Sequence, residues 1–282
     1  MKVNKIAALA FAGALVAALG LFGCTSSSSS SAASASTSAS AASASASASA
    51  AAADDLKLLT AGMLTFGTSP DYPPFENLEN GEYVGLDIDI AKAIAEKLGL
   101  ECKFEALQFD AIIPAVAAGG QVDLGISGFS VDPERAKEIT FSTSYCIDDQ
   151  AIAAMKSSDI TAENADEKLA EATIAVQSGT TGEAFIQENF PKATVQPYGN
   201  STDAFAAMQA GQADAVCTNK AVVEKMLKDA YQDAQIVKQI ATGEEYAIVL
   251  SKDNAALTDA VNKAIAELEA DGTLKALIEK WM

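Results

Sequence analysis

Histidine is absent from the 282-residue sequence. Its absence removes the general base of Ser-His-Asp and Cys-His catalysis and the commonest side-chain ligand of transition metals. Cysteine is scarce: there are four, and Cys102, Cys146 and Cys217 stand far apart, which leaves room for one disulfide at most among them. They read as small apolar residues in or beside strands. Basic residues are few, 19 Lys and Arg against 38 Asp and Glu, for a formal charge of −19. So acidic a surface argues against nucleic acid and anionic lipid as partners. The Gly/Thr-rich turn Ser178-Gly179-Thr180-Thr181-Gly182 lacks the lysine and spacing of a P-loop, so a nucleotide site is a poor reading. Asp87 and Asp89 make a weak metal site, because positions i and i+2 do not face each other on a helix. No metal and no cofactor is expected.

What is present starts with an export signal. Lys2 and Lys5 precede an apolar run from Ile6 to Phe22, short for a membrane span, and the small residue Gly23 follows. Residues 1–23 are the signal. Cys24, directly after that small residue, resembles the lipidated cysteine of bacterial lipoproteins. A simple secretory signal cleaved nearby is the alternative. Residues 24–54 are almost entirely Ser and Ala, which bury too little to offset their ordering entropy and read as a disordered tether. As a flexible coil it spans about 30 Å. Residues 1–23 carry Lys2 and Lys5 and no acid, so the chain beyond them stands at −21.

The remaining sequence alternates strands and helices, which argues for an α/β fold with parallel strands. Met63 to Thr68 reads as a first strand, and Gly85 to Gly99 as an amphipathic helix with Ile90, Ala91, Ile94 and Leu98 on one face. A strand at Lys103–Leu107, a helix at Phe109–Ala118 and a strand from Val122 follow. Further strands are expected at Gln150–Met155, Thr173–Val176, Ala213–Cys217 and Tyr246–Leu250. Helices are expected at Glu183–Phe190, Ala221–Lys228, Asn254–Ala270 and Thr273–Trp281. A weak internal echo links Phe109-Asp110-Ala111 through Asp123 with Thr202-Asp203-Ala204 through Asp214, as though two similar lobes carried similar units.

Val122 to Arg135 holds the densest cluster of candidate binding groups. The strand-like alternation breaks at Gly128, and Asp132-Pro133-Glu134 reads as a helix start. Ser127, Gly128, Ser130 and the guanidinium of Arg135 then converge at the carboxyl end of a strand, where open α/β sheets place their ligands. A guanidinium fork suits a carboxylate. An ordinary strand-turn-helix with a surface arginine in an ion pair accounts for the same segment. The loop Ser69-Pro70-Asp71-Tyr72-Pro73-Pro74-Phe75 offers two rings on a stiff backbone, as the wall of a small-molecule site or as cover for the core edge. The turn at Ser178–Gly182 presents free backbone N–H groups to an anion.

In order along the chain, Gly85-Leu86-Asp87-Ile88-Asp89-Ile90, Ile113-Pro114-Ala115, Gly128-Phe129-Ser130 with Pro133-Glu134-Arg135, Gln177-Ser178-Gly179-Thr180, Ala213-Asp214-Ala215-Val216 and Asp271-Gly272-Thr273-Leu274 to Lys280-Trp281 resemble the polar amino acid family of ABC-transporter solute-binding proteins, family 3. The resemblance covers about residues 57–282. It implies a two-lobed periplasmic-binding-protein-like fold with two strand crossovers forming a hinge, near Ala151–Met155 and Glu244–Ile248. Lobe 1 is then 55–152 with the return 247–282, and lobe 2 is 153–246.

By the same resemblance Arg135, Ser130 and Thr181 hold the α-carboxylate of an amino acid. Tyr72 and Phe109 sandwich the ligand, and the Gly128 carbonyl accepts from its ammonium. Ser69 and Gln177 stand at side-chain-reading positions, and both are neutral. Asn219 replaces the aspartate usual in the family, so either another acid such as Asp71 compensates or the ligand is not an ordinary α-amino acid. The implied protein is a monomeric, lipid-anchored, extracytoplasmic binder without catalysis that serves ABC permease subunits. Its ligand is expected to be a polar neutral amino acid or a cystine-like derivative. The alternative on the same fold is an enzyme resembling cyclohexadienyl dehydratases.

Overall fold

The computed structural model describes residues 56–282. The expected signal, Cys24 and the Ser/Ala tether lie outside the described residues. Two five-stranded sheets, each flanked by helices, form two lobes.

The first sheet has the order β5 (Glu101–Ala106), β1 (Met63–Thr68), β6 (Leu124–Gly125), β13 (Val249–Leu250), β7 (Thr140–Phe141). β1 runs parallel to β5 and β6, and β13 runs antiparallel to β6 and β7. The second sheet has the order β10 (Thr194–Tyr198), β9 (Thr173–Gln177), β11 (Ala215–Asn219), β8 (Cys146–Met155), β12 (Ala234–Tyr246). Here β9, β10 and β11 are parallel, and β8 is antiparallel to both β11 and β12. The chain leaves the first sheet between β7 and β8 and returns between β12 and β13. A hairpin sheet of β2 (Asp71–Tyr72), β3 (Glu76–Glu79) and β4 (Glu82–Val84) completes the strands described.

Helix α1 (Leu86–Leu98) buries Leu86, Ile88, Ile90, Ala91, Ile94 and Ala95, the face expected from its period, and Gly99 closes it in a left-handed cap. Helix α2 (Phe109–Ala118) follows. In the second lobe α3 (Ala165–Leu169), α4 (Thr181–Asn189), α5 (Ser201–Gln209) and α6 (Lys220–Asp229) cover the sheet. The terminal pair α7 (Ala255–Ala270) and α8 (Thr273–Trp281) packs back on α1, where Lys280 and the Trp281 indole N–H both reach Asp89.

The internal echo has a structural counterpart. Asp123, before β6, accepts from the backbone N–H of Leu59 and Thr65, each at 2.8 Å. Asp214, before β11, accepts from Thr173 N–H at 2.7 Å. In both lobes an aspartate at the mouth of a strand ties it to the neighbouring strand's start.

Two expectations need correction. Asp132-Pro133-Glu134 does not open an α-helix: Asp132 caps Glu134 N–H and Arg135 N–H, but the turn runs only over Arg135–Lys137 as a 3-10 helix before β7 begins. Three residues do not cover the cost of a longer helix when Ile139 must enter the core. Tyr246–Leu250 is also not one strand, since β12 ends at Tyr246 and β13 starts at Val249. The three cysteines among the described residues are free, on β5, β8 and β11, with Cys146 and Cys217 buried.

Candidate ligand-binding cleft

Arg135 is the only arginine in the sequence, and it sits between the lobes. One guanidinium nitrogen donates to the Ser130 carbonyl at 2.9 Å and another to the Gly179 carbonyl, across the cleft, at 3.0 Å. Its carbon lies 5.3 Å from the centre of the Phe109 ring and 5.5 Å from that of Phe129. Those rings stack on each other 4.7 Å apart and give the cation an aromatic bed. Burial lowers the Arg135 pKa, partly opposed by Asp132 and Glu244. Among the described residues the ion pairs involve other side chains, so no carboxylate is clamped to the guanidinium. The surface ion pair that would have made this segment ordinary is absent from them.

Ser130 and Thr181 meet from opposite lobes, hydroxyl to hydroxyl at 3.4 Å. Thr180 caps α4 by accepting from Glu183 N–H at 3.2 Å, and its hydroxyl donates to the Gln177 carbonyl at 2.8 Å. The Gln177 side chain donates to the Gly199 carbonyl at 3.4 Å. Gly179 adopts φ +76°, and a Cβ there would stand 3.0 Å from that of Asp110, so the turn needs glycine both for its backbone and for the approach of the opposite lobe.

The loop before α1 supplies three further expected residues. Tyr72 is buried, and its hydroxyl lies 2.7 Å from that of Thr218 and donates to Asn219 Oδ1 at 2.6 Å. Ser69 donates through Oγ to Asp71 at 2.8 Å. Asp71 reaches across to the start of α5, where its carboxylate accepts from Ser201 N–H and its carbonyl accepts from Ser201 Oγ at 2.5 Å. Burial raises the Asp71 pKa, and the bonds from Ser69, Ser201 and Thr202 oppose the rise. Its position at the positive end of a helix makes it a bridge between lobes.

Beneath these residues lies a buried acid pair. Ser127 donates to Glu76 at 2.5 Å and accepts from Ser69 N–H at 3.1 Å. Asp87 accepts from Gly128 N–H at 2.7 Å and from the Tyr145 hydroxyl at 2.9 Å. Gly128 itself has φ +53°, which this N–H bond helps to hold. Burial pushes Asp87 up to about 6 and Glu76 well above the usual carboxylate range, with the neighbouring Asp87 charge adding to the rise of Glu76. Ser127 and the Gly128 amide are therefore turned toward the floor, while Ser130, Arg135, Thr181 and Asn219 gather around the cleft.

Sequence reasoning missed Glu244, Gln150 and Thr218. Glu244 accepts from Ser130 Oγ, from Thr181 Oγ1 at 2.8 Å, from Gln150 Nε2 at 3.0 Å and from Asn219 Nδ2 at 3.3 Å. Its strand, β12, was not expected as such because bulges between Ile236 and Lys238 and between Ile240 and Glu244 break the period-two pattern. The apolar residues Ile236, Val237 and Ile240 were the available signal.

The family model of bacterial extracellular solute-binding proteins, family 3, matches residues 64–282. The ABC transporter arginine-binding protein 1 of Escherichia coli strain K12 is 33% identical over 226 residues, covering 78% of this chain and 91% of that protein. An ancestral arginine-binding protein solved with arginine is 36% identical, covers 78% of this chain and 98% of its own, and superposes with a TM-score of 0.74. An ancestral amino acid-binding protein described as a precursor of cyclohexadienyl dehydratase is 35% identical, covers 78% and 95% of the two chains, and superposes with a TM-score of 0.70.

Proposed function

Given that the chain belongs to the bacterial extracellular solute-binding proteins of family 3, we propose that it captures a polar amino acid in the cleft at Arg135 and delivers it to the permease of an ABC importer by lobe closure. The observation that carries this reading is a half-buried guanidinium on two aromatic rings, bonded only to backbone carbonyls from the two sides of the cleft. A ligand carboxylate that replaces those carbonyls gains two charge-assisted hydrogen bonds. Ser130 and Thr181 stand beside it from either side, and their hydroxyls turn from Glu244 to the ligand carboxylate when it enters. Tyr72, Phe109, the Gly128 carbonyl, Thr180 and Asn219 belong to the same proposed site, and Ser127 supports it from the floor through Glu76. Ser69, Asp71 and Gln177 line its side-chain end.

Closure is supported by bonds that span the cleft: Arg135 to Gly179, Tyr72 to Asn219 and Asp71 to Ser201. We place the lobe division at the two crossings between the sheets, between β7 and β8 and between β12 and β13, rather than near 152/153, because β8 lies wholly in the second sheet; opening there separates each of these pairs. We further assign residues 1–23 to a signal, Cys24 to lipidation on the extracytoplasmic face of the membrane, and residues 24–54 to the tether of a monomer. The amino acids named for the relatives, arginine foremost, define the first ligands to test. The reading excludes turnover: the relatives are binding proteins, and even the dehydratase-precursor neighbour carries the description of an amino acid-binding protein.

The test is a thermal-shift screen of the purified chain against the common amino acids, cystine and prephenate. Native-state binding raises Tm by mass action. A rise with one or more amino acids supports the reading; conversion of prephenate to product contradicts it.

A further inference from the structure

An amino acid held by its carboxylate brings an ammonium with it, and Asn219, which the family resemblance assigns to that ammonium, carries no charge. Resting on the amino-acid-binding reading above, we propose that Glu244 supplies the negative charge and that the ligand's α-ammonium binds against its carboxylate. The charge has moved from β11 to β12.

The other acids near the cleft are committed elsewhere. Asp71 caps α5 through Ser201, and Asp148 accepts from Ala221 N–H at 3.1 Å and Asp149 N–H at 2.8 Å. Asp87 and Glu76 lie below the cleft, holding Gly128, Tyr145 and Ser127. Glu244 alone among them takes its bonds from two hydroxyls and two side-chain amides that face the cleft from both lobes. It is half-buried, so a ligand can reach it.

The backbone holds it there. The bulge before Glu244 includes Gly243 at φ +59°, whose N–H donates to Asp149 at 3.0 Å, and bulges re-aim the side chain that follows. Beyond it, Val131 N–H donates to the Glu245 carbonyl at 2.8 Å and Ala247 N–H to the Phe129 carbonyl at 3.0 Å. These bonds stitch the Glu244 segment to the loop that carries Ser130 and, five residues on, Arg135. The two charges are thereby tied together beside the strand crossover and face the cleft as a complementary pair for a zwitterion.

Asn219 fits this arrangement as an amide. Its Oδ1 takes the Tyr72 hydroxyl, which leaves Nδ2 to donate to Glu244. An aspartate at that position would lose the donor and set a second carboxylate beside the first, and two adjacent carboxylates do not both ionise readily.

The experiment is calorimetric titration of L-arginine, L-glutamine and L-cystine, with 5-guanidinopentanoate and glutaramate as deaminated forms of the first two. The proteins are wild type, Glu244→Gln, Asn219→Asp and the double variant. Wild type is expected to prefer each amino acid it binds over its deaminated form by at least about 10-fold. Glu244→Gln should weaken the amino acids about 10- to 100-fold, leave the deaminated forms unchanged, and keep its ligand-free Tm. Asn219→Asp alone should gain nothing, and the double variant should recover most of the loss. Unchanged affinity in Glu244→Gln overturns the assignment. So does a loss confined to L-arginine, which would place a side-chain cation there, or equal loss for the deaminated forms. If Glu244→Gln fails to fold, wild-type indifference to deamination still overturns it. Wild type that binds no amino acid overturns the functional reading and this assignment together, whereas wild type that binds but ignores the Glu244 change overturns only the assignment.

Discussion

The two ends of the cleft solve the same problem with opposite signs. At one end a cation, Arg135, rests on Phe109 and Phe129 and takes only neutral acceptors, the carbonyls of Ser130 and Gly179. At the other an anion, Glu244, takes only neutral donors from Ser130, Thr181, Gln150 and Asn219. Neither is in an ion pair with the other or with a third residue among the described ones. A directly paired Arg and Glu would cancel and leave nothing to attract a charged ligand. Two separated charges solvated by fixed neutral dipoles remain available, and ligand charges that replace those dipoles gain the difference.

Removing the cationic end breaks the comparison most severely. Arg135→Ala leaves the ligand carboxylate desolvated and unpaired, and calorimetry is expected to read a loss of at least about 100-fold, near 2.7 kcal/mol. Retained affinity would assign the carboxylate to some other group. The bridge between lobes comes next. Asp71→Ala removes the acceptor at the start of α5, worth about 1 kcal/mol as a lost helix cap. Amino acid affinity should fall about fivefold through a less stable closed form, with the circular dichroism spectrum unchanged.

The acid pair under Gly128 gives a pH signature instead. Folding raises the pKa of both Glu76 and Asp87, the latter to about 6, so the folded chain holds protons that the unfolded chain has released. Their stabilisation is complete below the ordinary carboxylate range and lost as pH rises through about 6. Tm of the wild type is expected to fall by a few degrees between pH 4.5 and 7.5, on the order of 2–4 °C per kcal/mol for this size. Glu76→Gln keeps an acceptor for Ser127 without the charge, so its fall should be shallower, and an identical slope would locate the titration elsewhere. The smallest effect is expected from Phe109→Leu, which removes half of the aromatic bed; affinity should drop only a few-fold, about 0.5–1 kcal/mol for a cation over a ring.

The sequence made the regular parts of this fold legible. Phe109–Ala118 and Thr273–Trp281 have the bounds their periodicity predicts, and Gly99 ends α1 where a glycine cap was expected. Short or irregular pieces were not. β6 shrinks to Leu124–Gly125 because its two neighbours, β1 and β13, pair with it only there, and the Asp132 cap opens a single 3-10 turn. Arg135, Ser130 and Thr181 were readable as chemistry because glycines and a proline punctuate their turns. Glu244 was not, because its aim is set by a bulge and by bonds to a loop more than 100 residues earlier, and neither leaves a local period in the sequence. The two charges of the proposed zwitterion site thus came from a legible turn and an illegible strand.

The central claim is that both ends of an α-amino acid are recognised, and wild-type protein suffices to test it. Calorimetric titration compares the best-binding amino acid with its α-carboxamide, which lacks the carboxylate, and with its deaminated form, which lacks the ammonium. Each analogue is expected to bind at least about 10-fold more weakly than the parent. Equal affinity of either analogue and the parent would contradict the account.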